Sequence, residues 1–101
     1  MSVESSFTED DSVLIISIKG VFDFKLLSAF RQAYSDKGIK CEKIIIDMRG
    51  TSSIDSSALG MLLNMQRYLE KNDGEISIIN CNKDVAKIFN ITHFDKKFRI
   101  E

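Results

Sequence analysis

Several residue types and patterns are scarce in this chain. Among its 101 residues there are no prolines and no tryptophans, one histidine, two cysteines and five glycines. Cys41 and Cys81 cannot staple a multi-bridge scaffold; both border runs that read as strands, and they are expected to be free thiols. With His93 as the only imidazole and no nucleophile-elbow pattern around a serine, hydrolase chemistry is disfavoured. Cys41, Cys81 and His93 lack metal-site spacing, so no metal is expected. The glycines, Gly20, Gly38, Gly50, Gly60 and Gly74, stand apart and form neither a Walker loop nor a dinucleotide fingerprint, so no nucleotide cofactor is expected. The formal net charge of −1 gives nucleic acid or an anionic membrane no general attraction. No apolar run approaches the roughly 20 residues of a membrane-spanning helix. Residues Met1 to Ser12 carry Glu4, Glu9, Asp10 and Asp11 and lack a basic start followed by an apolar stretch. A secretory signal is therefore not read, and the cytoplasm is the expected location.

What is present suits one folded domain over residues 1–101: 44% hydrophobic and 29% charged residues supply both a core and a soluble surface. Val13 to Lys19 is a short β-branched run, and Val3 to Thr8 is placed to pair with it as an opening hairpin. From Asp23 the spacing turns helical through Leu26, Leu27, Phe30, Ala33 and Tyr34, up to Gly38. Lys43 to Met48 is too short for a helix and reads as a central strand covered on both faces. A polar loop, Arg49 to Ser53, leads to a long helix from Ser56 to Asn72, stopped at Asn72-Asp73-Gly74. A strand over Glu75 to Asn80, a short helix over Asp84 to Phe89 and a weak strand over Phe98 to Ile100 complete the chain. The order calls for an α/β fold, a mixed sheet with an N-terminal hairpin and helices packed on it.

The segment from Ile44 to Gly60 therefore combines a strand, a polar loop and a helix start. At that edge of an open α/β sheet, loops are free of packing duties and helix N-termini present unpaired N–H groups. Asp55 and Ser56 are both good N-cap residues, and capping alone is enough to explain one of them. A phosphate on Ser56 would add about −1.5 to −2 charge, and its oxygens would meet free backbone N–H groups and a favourable macrodipole. Such a modification need not unfold the domain; it would oppose a closely docked partner.

The following helix adds a candidate surface. At roughly 100° per residue, Ala58, Leu62, Met65 and Leu69 share a core face. Leu59, Gly60 and Leu63 turn toward the side below Ser56, with Arg67 further along it. Two leucines there form either an apolar strip for a partner or a seat for the short C-terminal helix. Phe22 and Phe24, flanking Asp23 in a loop, are further candidate partner contacts, whereas core duty accounts for most of the seven Phe.

Ile54-Asp55-Ser56-Ser57-Ala58-Leu59-Gly60, following the Ile44 to Met48 strand, resembles the signature of STAS domains, in particular the free-standing bacterial anti-sigma-factor antagonists. The resemblance extends through Val13 to Lys19, Gly20-Val21-Phe22-Asp23 and Val85 to Phe89. It implies a STAS-like fold and a phosphorylation site at Ser56, with Asp23, Asp55 and Ser57 shaping the acceptor loop. It also implies a partner-switching role. Unphosphorylated, such a protein binds a serine kinase or other anti-sigma-factor-type regulator; phosphorylated, it lets go, until a metal-dependent serine phosphatase restores it. The downstream output, whether transcription through a sigma factor, biofilm formation or another process, is not specified. Ala58 departs from the glycine often found there, and its methyl group is a feature a closely approaching partner would meet.

Two other functions compete with that expectation. One is a constitutive STAS subunit of a lipid-transport ATPase complex, in which Ser56 only caps. The other is a small enzyme using Ser56 as a nucleophile, which the missing base disfavours. The resemblance also implies weak nucleotide binding near the acceptor loop, as in some family members.

Overall fold

The computed structural model describes residues 2–8, 12–35, 41–69 and 75–101. The expected hairpin is present: β1 (Ser2–Phe7) runs antiparallel to β2 (Val13–Phe22), with Ser5 opposite Ile16 and Phe7 opposite Leu14. A single 3-10 turn (Phe24–Leu26) then leads into α1 (Leu27–Tyr34), and the chain returns as β3 (Lys43–Asp47), parallel to the first half of β2. After α2 (Ser56–Tyr68), β5 (Ile76–Ile79) lies parallel to β3; after α3 (Lys83–Ile91), β6 (Arg99–Ile100) lies parallel to β5. The expected stop signals at Gly38 and at 72–74, and the acidic turn at 9–11, fall outside the described residues.

One element differs from the sequence reading. Thr51–Ile54, expected within a polar loop and helix lead-in, is a strand, β4, parallel to the second half of β2. Thr-Ser-Ser carries little apolar patterning, so backbone pairing rather than burial makes this strand. Thr51 and Ile54 point inward while Ser52 and Ser53 face out. β3 and β4 thus run in succession along the same edge of β2, separated by a turn in which Thr51 N–H donates to the Met48 carbonyl at 3.0 Å. The register on β2 shifts between Gly20 and Val21. Gly20 takes φ 90° there, a conformation open to glycine at low cost, and its N–H donates to the Gly50 carbonyl at 2.9 Å. The buried Thr51 hydroxyl fastens the junction by donating to the Ile18 carbonyl at 2.7 Å.

The main sheet order is β1-β2-β3-β5-β6, so each parallel crossover steps in the same direction across the sheet. Crossovers of one hand then place α1, α2 and α3 on the same face. Burial agrees: Leu14, Ile16, Ile18, Ile44, Ile46, Ile76 and Ile78 are fully buried and pack with Phe30, Leu62, Met65, Val85 and Phe89 from the helices. β3 is central, as expected, but it is fully covered on one face only. Ile45, on the other face, is half-buried because no crossover passes over it. Cys41 is buried and Cys81 half-buried, and both are thiols rather than halves of a disulfide.

Candidate functional site

β2 and β4 end together, with Phe22 opposite Ile54 in a parallel register. The next residue on each strand is an aspartate, so Asp23 and Asp55 emerge side by side at the carboxyl edge of the sheet. Each caps the helical segment that follows. Asp23 accepts from Lys25 N–H at 2.9 Å, and Asp55 accepts from Ala58 N–H at 3.2 Å and from the Ser57 hydroxyl. The Ser57 hydroxyl holds the Asp55 carboxyl below the usual carboxylate range; desolvation opposes this, and hydrogen bonds from backbone N–H groups add to the lowering. It is ionised at neutral pH.

With Asp55 as the cap, Ser56 becomes the first residue of α2 and is exposed. Its hydroxyl has no hydrogen-bond partner among the described residues. Ser57 is half-buried and oriented by Asp55. The sequence left the capping duty open between Asp55 and Ser56; the aspartate performs it.

The third strand of this edge follows the same design. Beyond β5, Asn82 caps α3 by accepting from Val85 N–H at 2.8 Å, and its side-chain amide donates to the carbonyls of Thr51 and Ser52 at 3.3 and 3.1 Å. It thereby satisfies the side of β4 that no strand covers and braces the approach to Asp55. The sequence reading began this helix at Asp84 and missed Asn82; Asn two residues before Asp84 is the cap signal that could have found it. At the end of β3, Asp47 accepts from Asn80 and from Arg49 N–H, both at 3.0 Å. Partial burial alone would raise its pKa, but these donors and the Arg49 charge outweigh it and lower the value.

The two phenylalanines flanking Asp23 part company. Phe22 is 0% exposed and its ring packs on Phe30 with centroids 5.2 Å apart, so it belongs to the core and not to a partner surface. β2 extends through it because β4 pairs there, and the strand's alternation turns the ring inward. Phe24 is 67% exposed, and Val21, which the sequence does not single out as a partner contact, is 38% exposed. On α2, Ala58, Leu62, Met65 and Leu69 are buried as expected, whereas Leu59 and Leu63 are half-buried against the core and Gly60 is exposed. Ala58 is fully buried, so its methyl group packs inside and presents nothing to a partner. His93 follows α3, which runs back from this edge, and so lies toward the opposite end of the sheet from Ser56.

The STAS domain family model matches residues 4–101, and the chain belongs to that family. It is 36% identical over 100 residues to a STAS-domain containing protein of Pseudomonas aeruginosa (strain UCBPP-PA14), with 99% of each chain covered. It is 23% identical over 95 residues to the anti-sigma F factor antagonist of Paenibacillus polymyxa, covering 91% of this chain and 80% of that one. Its fold matches the unphosphorylated form of the Bacillus anti-sigma factor antagonist SpoIIAA with a TM-score of 0.79 at 20% identity, covering 99% of this chain and 88% of the other. For the phosphorylated form of SpoIIAA the TM-score is 0.72, at 20% identity, with 99% and 91% covered. Among the described residues no helix is long and apolar enough to cross a membrane.

Proposed function

We propose that this STAS protein is a phosphorylation-controlled partner-switching regulator of the anti-sigma-factor-antagonist kind. With Ser56 bare it binds a kinase-type regulatory protein; with Ser56 phosphorylated it releases that protein, until a metal-dependent serine phosphatase removes the phosphate. The observation that carries this is the division of labour at the start of α2. Asp55 supplies the cap, which leaves the Ser56 hydroxyl exposed and without a structural task. Support also comes from a SpoIIAA relative whose fold is known in both an unphosphorylated and a phosphorylated form.

The chemistry asked of the site is modest. Phosphoryl transfer from a nucleoside triphosphate needs only that the Ser56 oxygen reach the kinase, because the catalytic groups belong to the kinase and this chain acts as substrate. The dianion then sits at a helix N-terminus, where the macrodipole favours it, but beside Asp23 and Asp55, which do not. The fold tolerates it while the surface becomes strongly acidic. A partner seated on Val21, Phe24, Leu59, Gly60 and Leu63 meets that charge at the mouth of α2.

Recovery from native cells with wild-type and Ser56→Ala protein, followed by intact mass, tests the switch. The alanine variant should retain its partner throughout. Wild type alone should carry an increase of about 80 Da, the mass of one phosphoryl group on serine. Equal affinity of one purified partner for the bare and phosphorylated proteins overturns the proposal.

A further inference from the structure

Away from the switch, a cavity of about 450 Å³ opens where the ends of α1 and α2 come together. Its described lining is Arg31 and Tyr34 from α1 with Ser35 at its end, and Asn64, Arg67 and Tyr68 from α2. Each helix contributes residues spaced i, i+3 and i+4, one stripe facing the other. The Tyr68 hydroxyl donates to the Ser35 carbonyl at 3.2 Å and so spans the two helices, and the Tyr34 and Tyr68 rings meet edge to face with centroids 5.7 Å apart. Tyr34 is buried and forms the floor; Tyr68 is exposed and forms a wall. Arg31 and Arg67 are both exposed, and neither makes a salt bridge with a described residue.

The volume falls in the range of small-molecule sites, roughly 300–1,000 Å³. Two guanidinium groups form forked donor sets suited to a phosphate or carboxylate, and tyrosine faces and edges suit a flat ring. The carbonyl ends of the two helices carry partial negative charge, which accounts for one basic residue in each last turn. Two full positive charges exceed the about half-unit that each helix end supplies, so the described lining is attractive to an anion.

We infer that this cavity is a binding site for a small aromatic oxyanion, an aryl phosphate or aryl carboxylate, held by Arg31 and Arg67 with its ring against Tyr34 and Tyr68. The site is separate from the Ser56 switch and does not depend on it. Along α2, Asn64 and Arg67 lie about 12 Å and about 17 Å from Ser56 at 1.5 Å per residue.

The chain provides its own reporter, because it has two tyrosines and no tryptophan, and both tyrosines line the cavity. Full-length protein is titrated with phenyl phosphate, benzoate, inorganic phosphate and phenol, following tyrosine emission and backbone amide shifts. Saturable binding of phenyl phosphate or benzoate is expected, with the larger response identifying which oxyanion fits; inorganic phosphate, which lacks the ring contact, should bind about threefold or more weakly, and phenol, which lacks the anion, about tenfold or more weakly, the worth of one charge-assisted hydrogen bond. Arg67→Ala and Arg31→Ala should each weaken binding by a similar factor, with far-UV dichroism unchanged. Arg67→Lys should recover only part of it, since it keeps the charge and loses the fork. Ser56→Ala should bind as wild type does, which separates this site from the switch. Absence of saturation by both aryl oxyanions, equal binding of inorganic phosphate and phenyl phosphate, or full binding in the Arg31→Ala/Arg67→Ala double variant overturns the inference.

Discussion

The helix-covered face of the sheet and the sheet's carboxyl edge use neighbouring residues for opposite purposes. On the covered face, Ile16, Ile46, Phe22 and Phe30 are removed from water completely, and each is fixed by what surrounds it. At the edge, beside Phe22 and Ile54, Val21, Phe24, Asp55 and Ser56 are exposed, and Asp55 is fixed by the cap it makes rather than by packing. Packing leaves little freedom to change a side chain's chemistry, whereas a capped strand end holds its geometry by a few directed hydrogen bonds and leaves the side chains beside it available. A modification such as a phosphate is tolerated at the second kind of place and not at the first.

The sharpest way to break this contrast is to truncate the two phenylalanines on either side of Asp23. Phe22→Ala should cost about 3–5 kcal/mol in urea denaturation through lost burial and a residual cavity. Phe24→Ala should change stability by no more than about 0.5 kcal/mol and should instead weaken partner binding. Comparable stability losses in the two would dissolve the distinction between core and edge.

Next in size is phosphorylation itself. The phosphorylated protein should bind its partner at least about tenfold more weakly than the bare form, a difference of about 1.4 kcal/mol measurable by calorimetry. Ser56→Asp should fall between them, since it brings one charge and fewer acceptor oxygens.

Gly60 sharpens the comparison from within α2. A Cβ built there meets nothing within 4 Å, so Gly60→Ala should raise stability by about 0.5–1 kcal/mol through helix propensity. If the partner approaches the helix backbone at this point, the same variant binds more weakly; a stabilised variant with unchanged affinity would remove Gly60 from the footprint. On the sheet, Ser77 carries a buried hydroxyl without a hydrogen-bond partner among the described residues. Ser77→Ala should therefore be neutral or stabilising by up to about 1 kcal/mol in the same assay.

The smallest effect expected is in acid. Asp47 and Asp55 both have folded-state pKa values below the ordinary 3.8, so both bind protons less readily when folded than when unfolded. Their contribution to stability is present above that ordinary value and is lost as the pH falls through the depressed folded values. Asp55→Asn, which keeps a capping side chain, combined with Asp47→Asn should flatten the loss of stability below about pH 4 relative to wild type. An unchanged acid limb would show that neither carboxylate contributes to it.

Much of this architecture was legible in the residues. The hairpin, the Ile-rich central strand and the buried stripe Ala58-Leu62-Met65-Leu69 follow from periodicity, and Asp55-Ser56 marks a helix start by its capping chemistry. β4 was not legible, because Thr-Ser-Ser has no hydrophobic alternation and becomes a strand only when the end of β2 lies alongside it. The separation of Phe22 from Phe24 follows from that same pairing: it extends β2 by two residues beyond Gly20 and decides which ring turns inward. The exposure of Val21 follows from the same pairing. The double role of Asn82 requires two segments 30 residues apart to meet, and no local pattern records it.

By itself the sequence determined which stretches are apolar on one side, where helices begin, and that a serine follows a capping aspartate, because these depend on side chains a few residues apart. Only the tertiary structure decided that Asp23 stands beside Asp55, that Asp55 rather than Ser56 serves as the cap, and that two arginines and both tyrosines surround one cavity. Those outcomes depend on strand register and helix placement, which are set by long-range backbone pairing and by the single hand of three crossovers.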